Sequence, residues 1–332
     1  MTWLEFLVFG WKYTSFNTAR KKKRVPEKVN SIHYVVHEGT KDWILGAKAR
    51  RLSKYSNRDA SVFYSTKFND LKPADAYFFL HPNLYIKSLQ RNAWLKHCKC
   101  IVMFTHPEFK NKFSIKHRVY VLNKAHKVIF LNREHADLMV HHGLIKSKVE
   151  IMHLASDSDM FLPHDRTNAK VCVSMAYYKR KNPYLLFEIV KKMPHRNFLL
   201  IGKKWEQFEH WAKLKELANF EYHEGILYEN YPKLYAQCDV FLSSSYLEGG
   251  PVPLLETMLC NMVPVASKTG YCTDIIKHGE NGFLFDTNAS ADDVIPLIDK
   301  AYTLPVNTRE SVIDFTWEKY GTKIDELFDM RE

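Results

Sequence analysis

The 332-residue chain has no run of 18 or more apolar residues, so no segment is predicted to span a bilayer as a helix. Its six cysteines (98, 100, 172, 238, 260 and 272) are scattered, several within strand-like apolar stretches. That spread argues against a disulfide framework and for reduced, buried thiols, as in a cytosolic protein. The Cys-x-Cys of His97-Cys98-Lys99-Cys100 lacks a second ligand pair at usable spacing, so no metal site is expected. No zinc-finger spacing, RNP-like aromatic motif or basic zipper points to nucleic acid. No G-x-G-x-x-G follows the first strand, which excludes a Rossmann dehydrogenase. The chain also lacks an Asp-x-Asp triad to hold a metal, and no dedicated nucleophile emerges.

Charge is unevenly placed. Residues 1–150 carry 28 Lys and Arg against 11 Asp and Glu, a net of +17, whereas residues 151–332 carry 20 against 26, a net of −6. A basic half seeks an anionic surface. The N-terminus shows which kind. Trp3, Phe6, Phe9 and Trp11 lie in an aromatic, apolar stretch, and Arg20, Lys21, Lys22, Lys23 and Arg24 follow it. A secretory signal has the opposite order, with basic residues first. Aromatics beside a polybasic cluster suit a segment lying in a membrane interface, at about 1 kcal/mol per basic residue near an anionic surface. The alternative is a first helix packed on the protein with a basic linker behind it. The expectation is a peripheral protein on the cytoplasmic face of the membrane.

The length suits two domains. Strands are expected at Val29–Glu38, Ser61–Tyr64, Ala76–Leu80, Cys100–Phe104 and Lys127–Leu131. Helices are expected after a cap at Asp42, at Leu84–Leu95, at Lys112–Lys124 and at Arg133–His142. The pattern repeats with strands at Val171–Ser174, Asn197–Ile201, Val240–Ser243 and Val263–Ala266. Its helices fall at Tyr184–Lys192, Glu206–Leu217 and Tyr231–Gln237, with others after Ser290. Alternation of this kind predicts doubly wound parallel sheets. The segment Arg309–Met330 has helical spacing. The organisation read from the chain is an interfacial segment 1–28, a first domain 29–162, a hinge at Leu162–Asn168, a second domain 169–308 and a terminal helix 309–332.

The richest stretch is Ser245-Tyr-Leu-Glu248-Gly249-Gly250-Pro-Val-Pro-Leu-Leu-Glu256. It follows the strand-like Cys238–Ser243 and leads into a helix starting near Pro251 or Pro253, where a missing N–H costs little. Glu248 then sits on a strand-to-helix loop and Glu256 early in the helix. Bare N–H groups at such a start favour phosphate, and two carboxylates accept hydrogen bonds from sugar hydroxyls.

This constellation resembles the E-x7-E motif of retaining nucleotide-sugar glycosyltransferases of the GT-B fold, family 4. Three further stretches are similar to that family. Thr269-Gly270-Tyr271 through Gly279-Glu-Asn-Gly282 resembles its donor-site loops, and Val149–Pro163 resembles its junction between domains. Tyr177-Tyr-Lys179-Arg180-Lys181-Asn182-Pro183 resembles its phosphate-binding loop. The chain departs from the last pattern: Ala176 stands where the family has arginine, and Asn182 replaces glycine. The resemblance implies two Rossmann-like domains facing each other across a cleft, with a C-terminal helix crossing back to the first. It gives Glu248, Lys181, Arg180 and His106 catalytic places. Glu256, Gly249, Gly250, Gly270 and Tyr271 bind the donor, Glu256 through its ribose. His106 lies in Thr105-His106-Pro107-Glu108, which follows a strand. Gly39 and Thr40 hold the place of the acceptor loop, with a single glycine.

The activity implied is transfer of a UDP- or GDP-linked sugar, with no cofactor, onto a saccharide acceptor, expected to be lipid-linked. Front-face attack is implied, the leaving phosphate taking the acceptor's proton. The form of the motif suggests cell-surface polysaccharide or lipopolysaccharide synthesis. The competing reading is a non-catalytic, membrane-associated binding module that reuses the fold.

Overall fold

Runs such as Ala76-Tyr-Phe-Phe79 and Cys238–Ser243, buried at every position, form strands covered on both faces, as a parallel sheet between helices requires. The computed structural model describes residues 28–41, 44–107, 114–167 and 169–330. The chain divides into two units. The first holds the described residues through Phe130, Ala136–Met152 and those from Glu318 onward; the second holds Leu131–His135 and His153–Trp317. The N-terminal membrane residues of the sequence reading, the Asp42 cap, Glu108 and Asn168 lie outside the described residues.

The first unit carries β1 (Ser31–His37), β2 (Asp59–Ser65), β3 (Ala76–Phe79), β4 (Lys99–Phe104), β5 (Lys127–Phe130) and β6 (Val149–Ile151). They form one sheet in the order β2-β1-β3-β4-β5-β6, with every pairing parallel. Its helices are α1 (Ile44–Lys54), α2 (Pro82–Arg91) and α3 (Ile115–Leu122), and α4 (Arg133–His141) starts in residues that cluster with the second unit. The Nδ1 of His81 caps α2 by accepting from the Asn83 N–H, and Pro82 takes the first turn, where its missing donor is harmless.

The second unit carries β7 (Lys170–Ser174), β8 (Phe198–Gly202), β9 (Phe220–Glu224), β10 (Cys238–Ser243), β11 (Val263–Ser267) and β12 (Phe283–Phe285). Their order, β12-β11-β10-β7-β8-β9, is that of the doubly wound dinucleotide-binding fold. Around it lie α5 (Pro183–Lys192), α6 (Trp211–Lys215), α7 (Tyr231–Tyr235), α8 (Val252–Leu259), α9 (Cys272–Ile275) and α10 (Ala291–Thr303). Val171, Leu186, Leu200, Leu242, Val265 and Ile298 are among the buried residues of its core.

The last helix, α11 (Trp317–Asp329), belongs to the first unit from Glu318 on. Asp325 fixes it there, accepting from the Ser56 hydroxyl at 2.9 Å and the Asn57 N–H at 2.7 Å. Gly321 permits the approach, since a Cβ at that position would come within 2.6 Å of the Tyr55 carbonyl oxygen. The sequence predicts a helix from Arg309. Instead, 308–311 form a single 3-10 turn and α11 begins at Trp317.

The helix expected over Glu206–Leu217 is also broken. The Trp205 indole N–H donates to the Met175 carbonyl at 3.0 Å, and the chain goes extended at Phe208 before α6. Strands β6, β9 and β12 have no counterpart in the sequence reading. The first two are half-buried edge strands, and β12 has only three residues.

Candidate active site

In the second unit the sheet order reverses between β7 and β10, and ligands of open α/β sheets bind outside the carboxyl ends at such a point. The loop after β7 holds Lys179–Lys181, and the loop after β10 holds Ser244–Pro251. Hydrogen bonds lace the two loops together. The Tyr246 N–H donates to the Arg180 carbonyl at 2.7 Å, and the Ser244 hydroxyl donates to the Lys181 carbonyl at 2.9 Å. Asn182 stands at φ 51° and ψ 61°, caps α5 through the Leu185 N–H and is followed by Pro183. A left-handed residue there accounts for asparagine in place of the family's glycine, since asparagine tolerates that conformation better than other side chains.

Glu248 is 5% exposed. Its carboxylate accepts from Lys181 Nζ, from Arg180 Nη1 at 3.2 Å and from the Ser245 hydroxyl at 2.7 Å. Burial pushes its pKa up, but the Lys181 and Arg180 charges outweigh burial and hold it down, at about 2. For Lys181 burial is the larger influence and lowers the ammonium pKa, with Glu248 opposing it. Arg180 Nη1 also donates to the Leu247 carbonyl at 2.8 Å. The result is a carboxylate with two cations on one side of the switch point.

Glu256, on α8, is 2% exposed. It accepts from the Tyr228 hydroxyl at 2.6 Å and the Tyr235 hydroxyl at 3.1 Å. Neither tyrosine follows from the motif; the signal that could have found them is the density of tyrosines just before β10. Gly250 packs against Tyr271, whose ring would lie 2.3 Å from an added Cβ. Gly270 has φ +60°, and a Cβ there would meet Glu248 Cβ and the Gly249 carbonyl oxygen at 2.9 Å. The same Gly249 oxygen accepts from Asn132 Nδ2 at 2.7 Å, another contact the sequence reading missed. Tyr271 is fully buried, and burial, then Cys272, Glu256 and Glu248, drive its hydroxyl pKa well up.

The first unit holds Gly39, Thr40 and His106. The Gly39 N–H donates to His37 Nδ1 at 3.0 Å and the Thr40 hydroxyl to the His37 carbonyl at 2.8 Å, closing a turn right after β1. His106 follows β4, with Nδ1 3.0 Å from the Thr105 hydroxyl. His81 is an unforeseen neighbour. Burial above all, then the charges of His106, Arg118 and Lys87, press its pKa down to about 4. Its sequence signal is a repeated pattern, a strand followed by His-Pro, at His81-Pro82 and again at His106-Pro107. Among the described residues no group of three or more His, Cys, Asp or Glu is placed to hold a metal ion, and no helix is long and apolar enough to cross a membrane.

Two parallel six-stranded α/β units place the chain in the GT-B fold of glycosyltransferases. Residues 157–318 match the sequence profile described as glycosyl transferases group 1, so the resemblance holds at that level for the second unit. Over 186 residues the chain is 26% identical to N,N'-diacetylbacillosaminyl-diphospho-undecaprenol alpha-1,3-N-acetylgalactosaminyltransferase of Campylobacter jejuni, covering 51% of this chain and 49% of that protein. The chain thus spans about half the length of the curated relatives it matches. Among solved structures, sucrose-phosphate synthase from Thermosynechococcus elongatus aligns with a TM-score of 0.73 at 14% identity, over 90% of this chain and 98% of that one. HepE of Anabaena, solved with UDP and glucose, aligns with a TM-score of 0.73 at 14% identity, over 92% of this chain and 100% of that one.

Proposed function

We propose that the protein is a retaining, metal-independent glycosyltransferase that moves a sugar from a UDP- or GDP-linked donor to a saccharide acceptor, lipid-linked, in cell-surface polysaccharide synthesis. The observation that carries this reading is the cluster of Lys181, Arg180 and Glu248 at the switch point of the second unit. As the bond between the sugar's anomeric carbon and the diphosphate breaks, charge grows on the leaving oxygens. Fixed cations can neutralise it in place of a metal. The acceptor oxygen bonds to the same face of the anomeric carbon, and its proton passes to the leaving phosphate oxygen. Glu248 and Glu256 are hydrogen-bond acceptors for hydroxyls of the donor sugar and ribose. Gly249, Gly250 and Gly270, with the Tyr271 backbone, let the main chain approach the donor. Gly39, Thr40 and His106 are assigned to the acceptor side.

The Campylobacter jejuni relative, whose name specifies an undecaprenol-linked acceptor, and the UDP bound by HepE support this reading. The test is a transfer assay with radiolabelled UDP- and GDP-sugars and undecaprenyl-diphosphate saccharides. The product should keep the donor's anomeric configuration, and chelators should leave the rate unchanged. An inverted product, or a rate abolished by EDTA and restored by a divalent cation, would contradict it.

A further inference from the structure

The first unit carries a cluster of hydrogen-bond donors at the carboxyl end of its sheet. Val35 of β1 pairs with Phe79 of β3, and two residues beyond each lie His37 and His81. One device fixes both rings. His37 Nδ1 accepts from the Gly39 N–H at 3.0 Å, and His81 Nδ1 accepts from the Asn83 N–H at 3.1 Å. A ring nitrogen that accepts carries no proton, so in each neutral ring the proton sits on Nε2. Neither Nε2 has a hydrogen-bond partner among the described residues. Serine or aspartate would cap α2 as well, but the imidazole adds an N–H on the far side of the ring from the cap. Burial first, and then the charges of His106, Arg118 and Lys87, keep His81 neutral.

Phe68 joins the histidines to a cation. Its ring centre lies 5.6 Å from that of His37, and Lys87 Nζ, on α2, lies 4.9 Å from it. Phe68 stands at φ 62°, a left-handed conformation that a bulky side chain rarely adopts. Its N–H donates to the Ser65 hydroxyl at 3.2 Å, and its carbonyl accepts from Asn92 Nδ2 at 2.5 Å, so the surroundings hold it there. Backbone strain of this kind gathers at ligand sites. Lys87 is exposed and makes no salt bridge with any described residue. Asp70 directs its carboxylate to Ser65 and Thr66, and neither it nor Glu38 forms a salt bridge with Lys87.

We propose that His37, His81 and Lys87 hold a phosphoryl group of the acceptor, with the two Nε2–H groups and the ammonium donating to its oxygens. This rests on the glycosyltransferase reading, whose lipid-linked acceptor is assayed as a diphosphate, and sets the anionic end of that acceptor beside the Gly39-Thr40 turn. Every free polar group in the set is a donor. Phosphate oxygens only accept, so they match it, whereas a sugar hydroxyl would find nothing to accept its own proton.

The experiment is transfer kinetics on the full chain, with an undecaprenyl-diphosphate saccharide and with the same saccharide free of phosphate. His81→Asn keeps an oxygen to cap α2, and His37→Asn keeps one for the Gly39 N–H, but each removes the Nε2–H. Each of these, and Lys87→Met, should raise the KM for the diphosphate acceptor about tenfold and leave the donor KM unchanged. The KM for the phosphate-free saccharide and the unfolding temperature of His81→Asn should not move. Wild-type KM in all three variants, or the same rise with the phosphate-free saccharide, would overturn the proposal. A second arm needs no transfer. Titrated calorimetrically into Lys181→Gln, inorganic pyrophosphate should bind a site that is lost when Lys87→Met is added. No such site would overturn the proposal, while its presence in a protein without transfer activity would overturn the glycosyltransferase reading instead.

Discussion

Glu248 is held ionised by neighbours that a donor diphosphate would also attract. Replacing it with an isosteric amide should release Lys181 and Arg180 from their carboxylate. Glu248→Gln is therefore expected to bind free nucleoside diphosphate at least as tightly as wild type, while transfer falls about a hundredfold or more. Calorimetry and a transfer assay on one preparation check both halves. The same carboxylate gives a pH signature. Its folded pKa of about 2 lies below the ordinary value of 4.5. Its contribution to stability is thus fully present above about pH 4.5 and is lost as pH falls toward 2. In denaturant titrations, the stability gap between wild type and Glu248→Gln should narrow across that window, and no narrowing would count against the ion pair.

At the scale of elements, the site depends on loops that leave no room for side chains. Gly250→Ala would drive a methyl group into the Tyr271 ring, an overpacking that costs about 1–3 kcal/mol or displaces the loop. Donor affinity should fall with it, whereas Gly225→Ala, where an added Cβ meets nothing within 4 Å, should leave affinity unchanged and cost only backbone strain at φ +69°. The Tyr228 turn is a second device. Glu256 is 2% exposed and capped by Tyr228, so the proposed ribose contact requires that hydroxyl to give way. Tyr228→Phe is expected to tighten nucleotide binding several-fold, and weaker binding would show that the hydroxyl helps hold the ligand.

Much of this was legible in the sequence, because strands such as β10 and helices such as α8 follow their apolar pattern. The two glutamates fall on a loop and a helix as their spacing implies. Tyr228, Tyr235 and Asn132 were not legible, because their contacts join residues 21 to 117 positions apart in the chain. The β9 edge strand, Phe220-Glu-Tyr-His-Glu224, alternates with charge and is only half-buried, so it carried no buried-strand signal.

At the scale of the whole molecule, the chain combines two parallel α/β units of opposite charge. The first is basic, and the acidic second holds the loops after β7 and β10. The central claim concerns the second unit: that the β7–β10 switch point is a nucleotide-sugar site in which Lys181 meets the diphosphate and Glu256 the ribose. The most direct test is isothermal titration calorimetry of UDP- and GDP-sugars against wild type, Lys181→Gln and Glu256→Gln. Glutamine is chosen because it keeps hydrogen bonds to Glu248 and to the tyrosines. Binding to one nucleotide class, weakened about tenfold or more by each substitution, is the predicted result. A folded wild type that binds neither class, or binding that both substitutions leave unchanged, would contradict it.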